Sequence, residues 1–116
     1  RPMPSKVTLP ILLRRIRAVN PTIDITILIA TGFHRAMTHD EMVHRFGEDI
    51  VNNEKLINHD SEDAENMVEI GTLPSGGKCV INRLAVETEL LISEGLISLR
   101  ASRAAANPCC LALPPR

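Results

Sequence analysis

Apolar and polar residues follow two different periods in the first thirty positions of the chain. Residues 8–19 carry leucine, isoleucine and valine at spacings of three and four, and this period predicts an amphipathic helix. Pro10 suits the first turn of such a helix, and Asn20-Pro21 predicts its end. Residues 25–30 (ITILIA) are nearly all apolar, which is typical of a strand buried on both faces, as in a parallel sheet.

The alternation of helices and strands continues downstream. Thr38 and Glu41 form a capping-box pattern that predicts a helix over residues 38–46, and Gly47 is its natural C-terminal stop. Shorter segments predict helical turns at residues 48–53 and 83–87, strands at 55–58, 67–71, 78–82 and 89–93, and an acidic loop at 61–66. This order predicts an α/β fold: a layered domain with a mainly parallel sheet flanked by helices, Rossmann-like and incomplete.

Composition excludes several classes of protein. The chain has 116 residues, 44% apolar and 23% charged, which is the balance of a single globular domain. The net charge of −1 and the absence of Trp and Tyr argue against nucleic-acid binding. No apolar run is long enough to span a bilayer, so we expect no membrane partner. Three cysteines form no disulfide framework, so we expect a reducing, cytoplasmic location.

The two ends of the chain differ in charge. Residues 1–97 contain all 14 acidic residues and 10 of the 13 basic ones, for a net charge of −4. Residues 98–116 contain no acidic residue and three arginines, for a net charge of +3. We therefore divide the chain into an α/β domain at residues 1–97 and a tail at residues 98–116. The charge difference is explained either by a disordered tail or by a non-native one, which was never selected as protein.

Candidate chemistry lies directly after the buried strand, at residues 32–35. Ligands of open α/β sheets bind beyond the C-terminal ends of the strands, and Gly32 permits a sharp turn and a close backbone approach there. His34 is suited to proton exchange near neutral pH, and Arg35 is suited to binding an anion. Spacing alone leaves a solvated loop as the alternative.

The other histidines have simpler explanations. His39 and His44 are five residues apart, about 140° around a helix, so we expect them to be surface residues and not a metal-binding pair. His59-Asp60 is compatible with a base and its orienting carboxylate. Adjacent residues seldom face each other, however, which favours a role in stabilising a turn.

Two nucleotide-binding interpretations are disfavoured. Residues 76–78 (GGK) lack the upstream glycine and the following helix of a phosphate loop, and they predict a hairpin turn. No G-x-G-x-x-G follows the buried strand, which argues against a dinucleotide-binding oxidoreductase fragment. A non-enzymatic α/β module that binds a small anion or nucleotide at residues 32–35 stays open.

Several segments together resemble one family. They are RPMPSKVTLPILL, DITILIATGFHRAMTHDEM, INHD, a Gly-Thr before a GG turn, VINR and a strand ending in EGLI. In this order and spacing, residues 1–97 resemble the N-terminal domain of the nickel-pincer lactate racemases. The resemblance implies an isomerase that interconverts the stereoisomers of lactate or a related 2-hydroxy acid, on an α/β fold.

The resemblance also implies a cofactor and partners. The family's cofactor is nickel pyridinium-3-thioamide-5-thiocarboxylic acid mononucleotide, which exchanges a hydride with C2 of the substrate. Two histidines act alternately as base and acid on the substrate hydroxyl, because interconversion of two stereoisomers requires a proton acceptor on each face of the substrate. The implied partners are a small 2-hydroxy acid such as lactate, the missing C-terminal domain and the cofactor-maturation proteins.

Only part of the family's catalytic set is present. His34 matches the first of the two catalytic histidines, and Arg1 matches the substrate-binding arginine of the D-x-T-R-P motif. The E-P-H motif and the cofactor lysine of G-F-S-G-G-R-K are absent, and Ser98-Leu99-Arg100 stands where E-P-H is expected. The resemblance therefore assigns no cofactor or metal ligand to this chain and implies that it is inactive as written.

We predict that the tail is an out-of-frame reading of the family's next segment. One permitted set of codons for residues 100–113 (RASRAAANPCCLAL), read one base earlier, translates as AGFSGGRKSVLPGI, which contains the cofactor-lysine motif. Sequencing the DNA across the codons for Ile97 and Ser98 and several hundred bases beyond should reveal the coding sequence of the family's C-terminal part. Unrelated DNA downstream in all frames would contradict this explanation.

Overall fold

Helices and strands alternate along the chain as the sequence predicts. The computed structural model describes residues 3–32 and 34–95, together with the backbone of residues 109–113. The elements are α1 (Ser5–Val19), β1 (Thr26–Ile29), α2 (His39–Phe46), α3 (Glu48–Asn53), β2 (Lys55–Asn58), β3 (Met67–Thr72), β4 (Lys78–Asn82), α4 (Arg83–Glu87), β5 (Leu90–Glu94) and β6 (Cys109–Leu113). A single 3₁₀ turn, Ala64–Asn66, lies in the segment predicted as an acidic loop.

Strand β1 is the centre of the core. Every residue of β1 is buried, which confirms the prediction of a strand covered on both faces. Ile27 is fully buried, and the core around it comes mainly from the helices on either side of β1 in the sequence. The buried apolar cluster consists of Leu9, Leu13, Ile25, Ile27, Ile29, Phe46 and Ile50.

The main sheet has the strand order β2-β1-β6-β5. Strands β1 and β2 are parallel, in a register that runs from Thr26–Lys55 to Ile29–Asn58. Strand β6 lies between β1 and β5 and is antiparallel to both. The α/β class is confirmed, and the sheet is mixed rather than mainly parallel because β6 enters it in the opposite direction.

Strand β6 lies in residues 98–116, where the sequence analysis assigned no helix or strand. Its five residues, CCLAL, carry no charge, so they are compatible with a position between two other strands. The pairing with β1 involves residues far apart in sequence, which a local pattern does not reveal. Residues 98–108 and 114–116 lie outside the described part of the chain.

Helix α1 begins earlier than predicted. It starts at Ser5, so Pro10 lies inside the helix and not in its first turn. The Ser5 hydroxyl donates to Glu94 Oε2 at 3.0 Å, and the Thr8 hydroxyl donates to the same carboxylate. Because this carboxylate belongs to β5, nothing in the neighbouring sequence indicated the extra turn.

Among the described residues no helix is long and apolar enough to cross a membrane.

Helix α2 has both of its predicted ends. The Thr38 hydroxyl accepts from the Glu41 N–H, and the Glu41 carboxylate accepts from the Thr38 N–H at 2.8 Å, which completes the capping box. Gly47 follows the last turn with a φ of 96°, a conformation that favours glycine. The Thr38 cap therefore fixes the residue at which the loop before α2 ends.

Strands β3 and β4 form a separate two-stranded antiparallel sheet. The turn between them is closed by Leu73 N–H donating to Gly77 O at 2.7 Å and by Gly76 N–H donating to Leu73 O at 2.9 Å. Gly76 has a φ of 88°. The prediction of a hairpin turn, and not a phosphate loop, is confirmed here.

We expect truncation of the central strand to destabilise the whole domain. Ile27→Ala removes a fully buried side chain between the helices and should lower the free energy of unfolding by about 2–5 kcal/mol. Val19→Ala is the matched control, since Val19 is 89% exposed and its truncation should change stability by less than about 0.5 kcal/mol. Urea unfolding of the full chain measures both, and equal effects would contradict the proposed core.

Candidate functional site

A cleft of about 740 Å³ opens at the C-terminal end of β1. Its walls are the start of α1, the loop between β1 and α2, and one face of α2. The lining residues are Met3, Pro4, Lys6, Ala30, Thr31, His34, Arg35, Met37, Asp40, Glu41, His44 and Arg45. The cleft therefore lies where the topology of an α/β sheet predicts a ligand site.

His34 is an exposed residue on the lip of this cleft. Its backbone N–H donates to Thr31 O at 3.0 Å and closes a tight turn directly after β1. Gly32 lies within this turn with a φ of 61°, which the sequence analysis anticipated from its position. The structure thus places His34 just after the C-terminal end of β1, as predicted, with its side chain exposed.

Arg35 forms an ion pair with Glu41. Its guanidinium makes a two-pronged ion pair with the Glu41 carboxylate, at 2.7 and 2.8 Å. The Arg35 hydrogen bond and the backbone hydrogen bond from Thr38 lower the pKa of Glu41 from its ordinary value of 4.5 to about 2. The same bond to Glu41 raises the pKa of Arg35. Arg35 therefore holds the loop on α2, and it is less suited to binding an anion than the sequence suggested.

Two other cations line the cleft without a carboxylate partner among the described residues. Lys6 projects from the first turns of α1 and lies beside Gly47, and Arg45 is half-buried on α2. The Nε atom of Arg45 is buried and has no hydrogen-bond partner in the described part of the chain. Because Arg35 is neutralised by Glu41, Lys6 and Arg45 outnumber Asp40, the remaining carboxylate of the lining. The cleft therefore has a net positive charge, whereas the domain as a whole is acidic. Sequence reasoning missed both residues, because they are separated along the chain.

The loop that carries His34 is tied to the neighbouring strand. Asn58, the last residue of β2, accepts a hydrogen bond from Met37 N–H at 3.0 Å and donates one to Met37 O at 3.0 Å. This contact was not predicted. Its sequence signals are an asparagine at the end of a strand parallel to β1 and the place of Asn58 in the INHD segment.

The remaining histidines differ in their surroundings. His39 and His44 are both exposed on α2, as predicted, although His44 also lines the cleft. His59 Nδ1 lies 3.0 Å from Asn82 Nδ2. Because Asn82 Oδ1 accepts from Leu84 N–H, its amide nitrogen donates to Nδ1 and leaves the proton of neutral His59 on Nε2.

Asp60 acts in a turn, as predicted. Its carboxylate accepts from Glu62 N–H at 2.9 Å. The interpretation of Asp60 as the orienting carboxylate of His59 finds no support among the described contacts, since Asn82 orients that ring instead.

The described residues do not form a metal site by themselves. No group of three or more His, Cys, Asp and Glu side chains that would hold a metal ion occurs within residues 3–32 and 34–95. The cleft offers two histidines and two carboxylates, of which Glu41 is engaged by Arg35. This donor set does not fit a nickel-bearing group. Arg1, the predicted substrate-binding residue, lies outside the described residues.

The fold defines an α/β domain with a cleft at the switch from β1 to α2. The family model of the lactate racemase N-terminal domain matches residues 1–101. The chain therefore belongs to the lactate racemase N-terminal domain family.

Individual relatives agree with this assignment. The chain is 60% identical over 97 residues to a lactate racemase of Lactiplantibacillus plantarum and 59% identical over 97 residues to one of Thermoanaerobacterium thermosaccharolyticum, in each case over 84% of this chain and 23% of the relative. It thus spans about a quarter of the length of these relatives. The structure of the lactate racemase apoprotein from T. thermosaccharolyticum matches with a TM-score of 0.75 and 52% identity, over 82% of this chain and 24% of that one.

The ion pair of the loop should be visible in an acid titration. Since the pKa of folded Glu41 lies below 4.5, its contribution to stability is complete above that pH and is lost as the pH falls toward about 2. NMR of the Glu41 side-chain carboxyl in the full chain should report this low pKa. Arg35→Gln should move it toward 4.5, whereas Arg14→Gln, on an exposed arginine of α1, should leave it unchanged. An Arg35→Gln variant with the wild-type titration would contradict the pairing.

Proposed function

We propose that this chain is a segment of a lactate racemase-like enzyme that racemises or epimerises a 2-hydroxy acid, with His34 as an acid/base residue. The observation that supports this proposal best is the position of His34. It lies at the C-terminal end of β1, on the lip of a cleft with a positive balance, in a domain of the lactate racemase family.

His34 has the properties that proton transfer to a substrate hydroxyl requires. Its ring is exposed toward the cleft, and its backbone is fixed by the hydrogen bond to Thr31 O. A neutral imidazole accepts the hydroxyl proton as C2 becomes trigonal, and the imidazolium returns a proton in the reverse direction. The second acid/base residue, on the opposite face of the substrate, comes from a part of the enzyme outside this chain.

The carboxylate of the substrate requires a cation near His34. We assign this role to Arg1, because a guanidinium binds a carboxylate through two parallel hydrogen bonds. Lys6 and Arg45 support an anionic ligand in the same cleft, since neither has a carboxylate partner among the described residues. Arg35 is less suited to this role, because its guanidinium is paired with Glu41.

The cofactor proposed for the complete enzyme is the nickel pyridinium-3-thioamide-5-thiocarboxylic acid mononucleotide of the family. Bound to the complete enzyme, this group would supply a reversible hydride acceptor for C2 of the substrate. Because the described donor set does not fit this group, we assign its ligands to other parts of the enzyme. We further propose a cytoplasmic location, where the cofactor-maturation proteins would load the enzyme.

A chimera tests this proposal directly. The matched 97-residue segment of the L. plantarum racemase is replaced by residues 1–97 of this chain, and racemisation of lactate is followed in both directions after loading with cofactor. We expect the chimera to be active and His34→Gln to lower kcat/KM by about 100- to 10,000-fold. His39→Gln is the matched control, because His39 is exposed on α2 and does not line the cleft.

Two outcomes would contradict the proposal. The first is an active chimera in which His34→Gln and His39→Gln behave alike. The second is measurable turnover by the 116-residue chain alone, because that would mean the missing segments are not needed. An inactive chimera in which the chain still binds lactate would favour the non-enzymatic anion-binding module.

A further inference from the structure

Among the described residues, few contacts hold the loop between β1 and α2 in place around His34. It leaves β1 after Ile29 and ends at the Thr38 cap of α2, with His34 near its middle. The Thr31–His34 turn fixes the first half, and the Arg35–Glu41 pair is solvent-exposed, so salt and side-chain entropy weaken it. The second half of the loop therefore depends on another contact.

Asn58 provides that contact from the neighbouring strand. It is the last residue of β2, opposite Ile29 in the parallel register, so its side chain is next to the point where the loop leaves β1. Both polar atoms of its amide bind one residue: Oδ1 accepts from Met37 N–H and Nδ2 donates to Met37 O, each at 3.0 Å. Asn58 and Met37 are half-buried, which shields these bonds from water.

The chemistry of this contact is specific to a carboxamide of this length. Binding the N–H and the C=O of a single residue requires a donor and an acceptor on the same short side chain. Aspartate offers only acceptors when ionised, and it would place a negative oxygen against the Met37 carbonyl. Alanine leaves both backbone groups of Met37 without their partner.

We propose that Asn58 is a positioning residue, which fixes the Met37 end of the loop and so sets the reach of His34 into the cleft. This inference rests on the proposed function of His34. Asn58 does not line the cleft, and it acts through the backbone of Met37.

Hydrogen exchange on the full 116-residue chain tests the structural half of the proposal. Asn58→Ala should speed exchange of the Met37 amide by about tenfold or more, with a smaller effect in Asn58→Asp, which keeps the acceptor for Met37 N–H. The effect should be confined to the loop. Asn52→Asp, on an exposed asparagine of α3, is the control and should leave the loop unchanged.

Kinetics of the chimera test the functional half. Misplacing an acid/base residue affects the reacting geometry more than ground-state binding, so both Asn58 variants should lower kcat by about 10- to 100-fold while KM for lactate changes by less than about twofold. If Asn58→Ala does not fold, the isosteric Asn58→Asp still gives the measurement.

The outcomes separate this inference from the proposed function. If His34→Gln abolishes activity and the Asn58 variants keep full kcat, Asn58 is not a positioning residue and the role of His34 stands. If His34→Gln is silent, the proposed function fails and this inference fails with it. Equal losses in kcat and in binding would indicate general damage to the domain and would also overturn the inference.

Discussion

Burial of β1 on both faces is the constraint on which the rest of the structure depends. A strand without an exposed face needs cover from above and below as well as strands beside it, and α1, α2 and α3 supply apolar residues to the same cluster. The Arg17–Glu54 ion pair ties α1 to the end of α3, just before β2 begins. Because β1 is held this firmly, the loop that leaves it begins from a fixed point, and the cleft forms beside that point.

The site combines an exposed side chain, His34, with a restrained backbone. The His34 ring is exposed, while the backbone around it is restrained by a turn, an ion pair and the Asn58 amide, each from a different element. The cations of the cleft also differ in their partners. Arg35 is paired with Glu41, whereas Lys6 and Arg45 have no carboxylate partner in the described residues. An exposed imidazole on a restrained backbone suits the acid/base role proposed for His34.

Sequence alone predicted the elements whose causes are local. The Thr38–Glu41 capping box, the Gly47 stop and the hairpin turn at residues 76–77 each depend on neighbours within a few positions, and all are confirmed. The prediction failed where the cause lies far away in sequence. Glu94 adds a turn to α1, Asn58 fixes Met37, and β6 enters the sheet in the opposite direction. His34 was found through its place after a buried strand, whereas Lys6 and Arg45 carry no pattern that distinguishes them from surface cations.

The position of β6 has a consequence for how the chain is made. Thr26 pairs on one side with Lys55 and on the other with Ala112, so the two edges of β1 are satisfied at different times during synthesis. At typical elongation rates the second partner leaves the ribosome several seconds after the first. Throughout that interval a highly apolar strand presents an unpaired edge, which is a template for association with other nascent chains. Pairing with β6 therefore closes, late in synthesis, an edge of β1 that the earlier strands leave open.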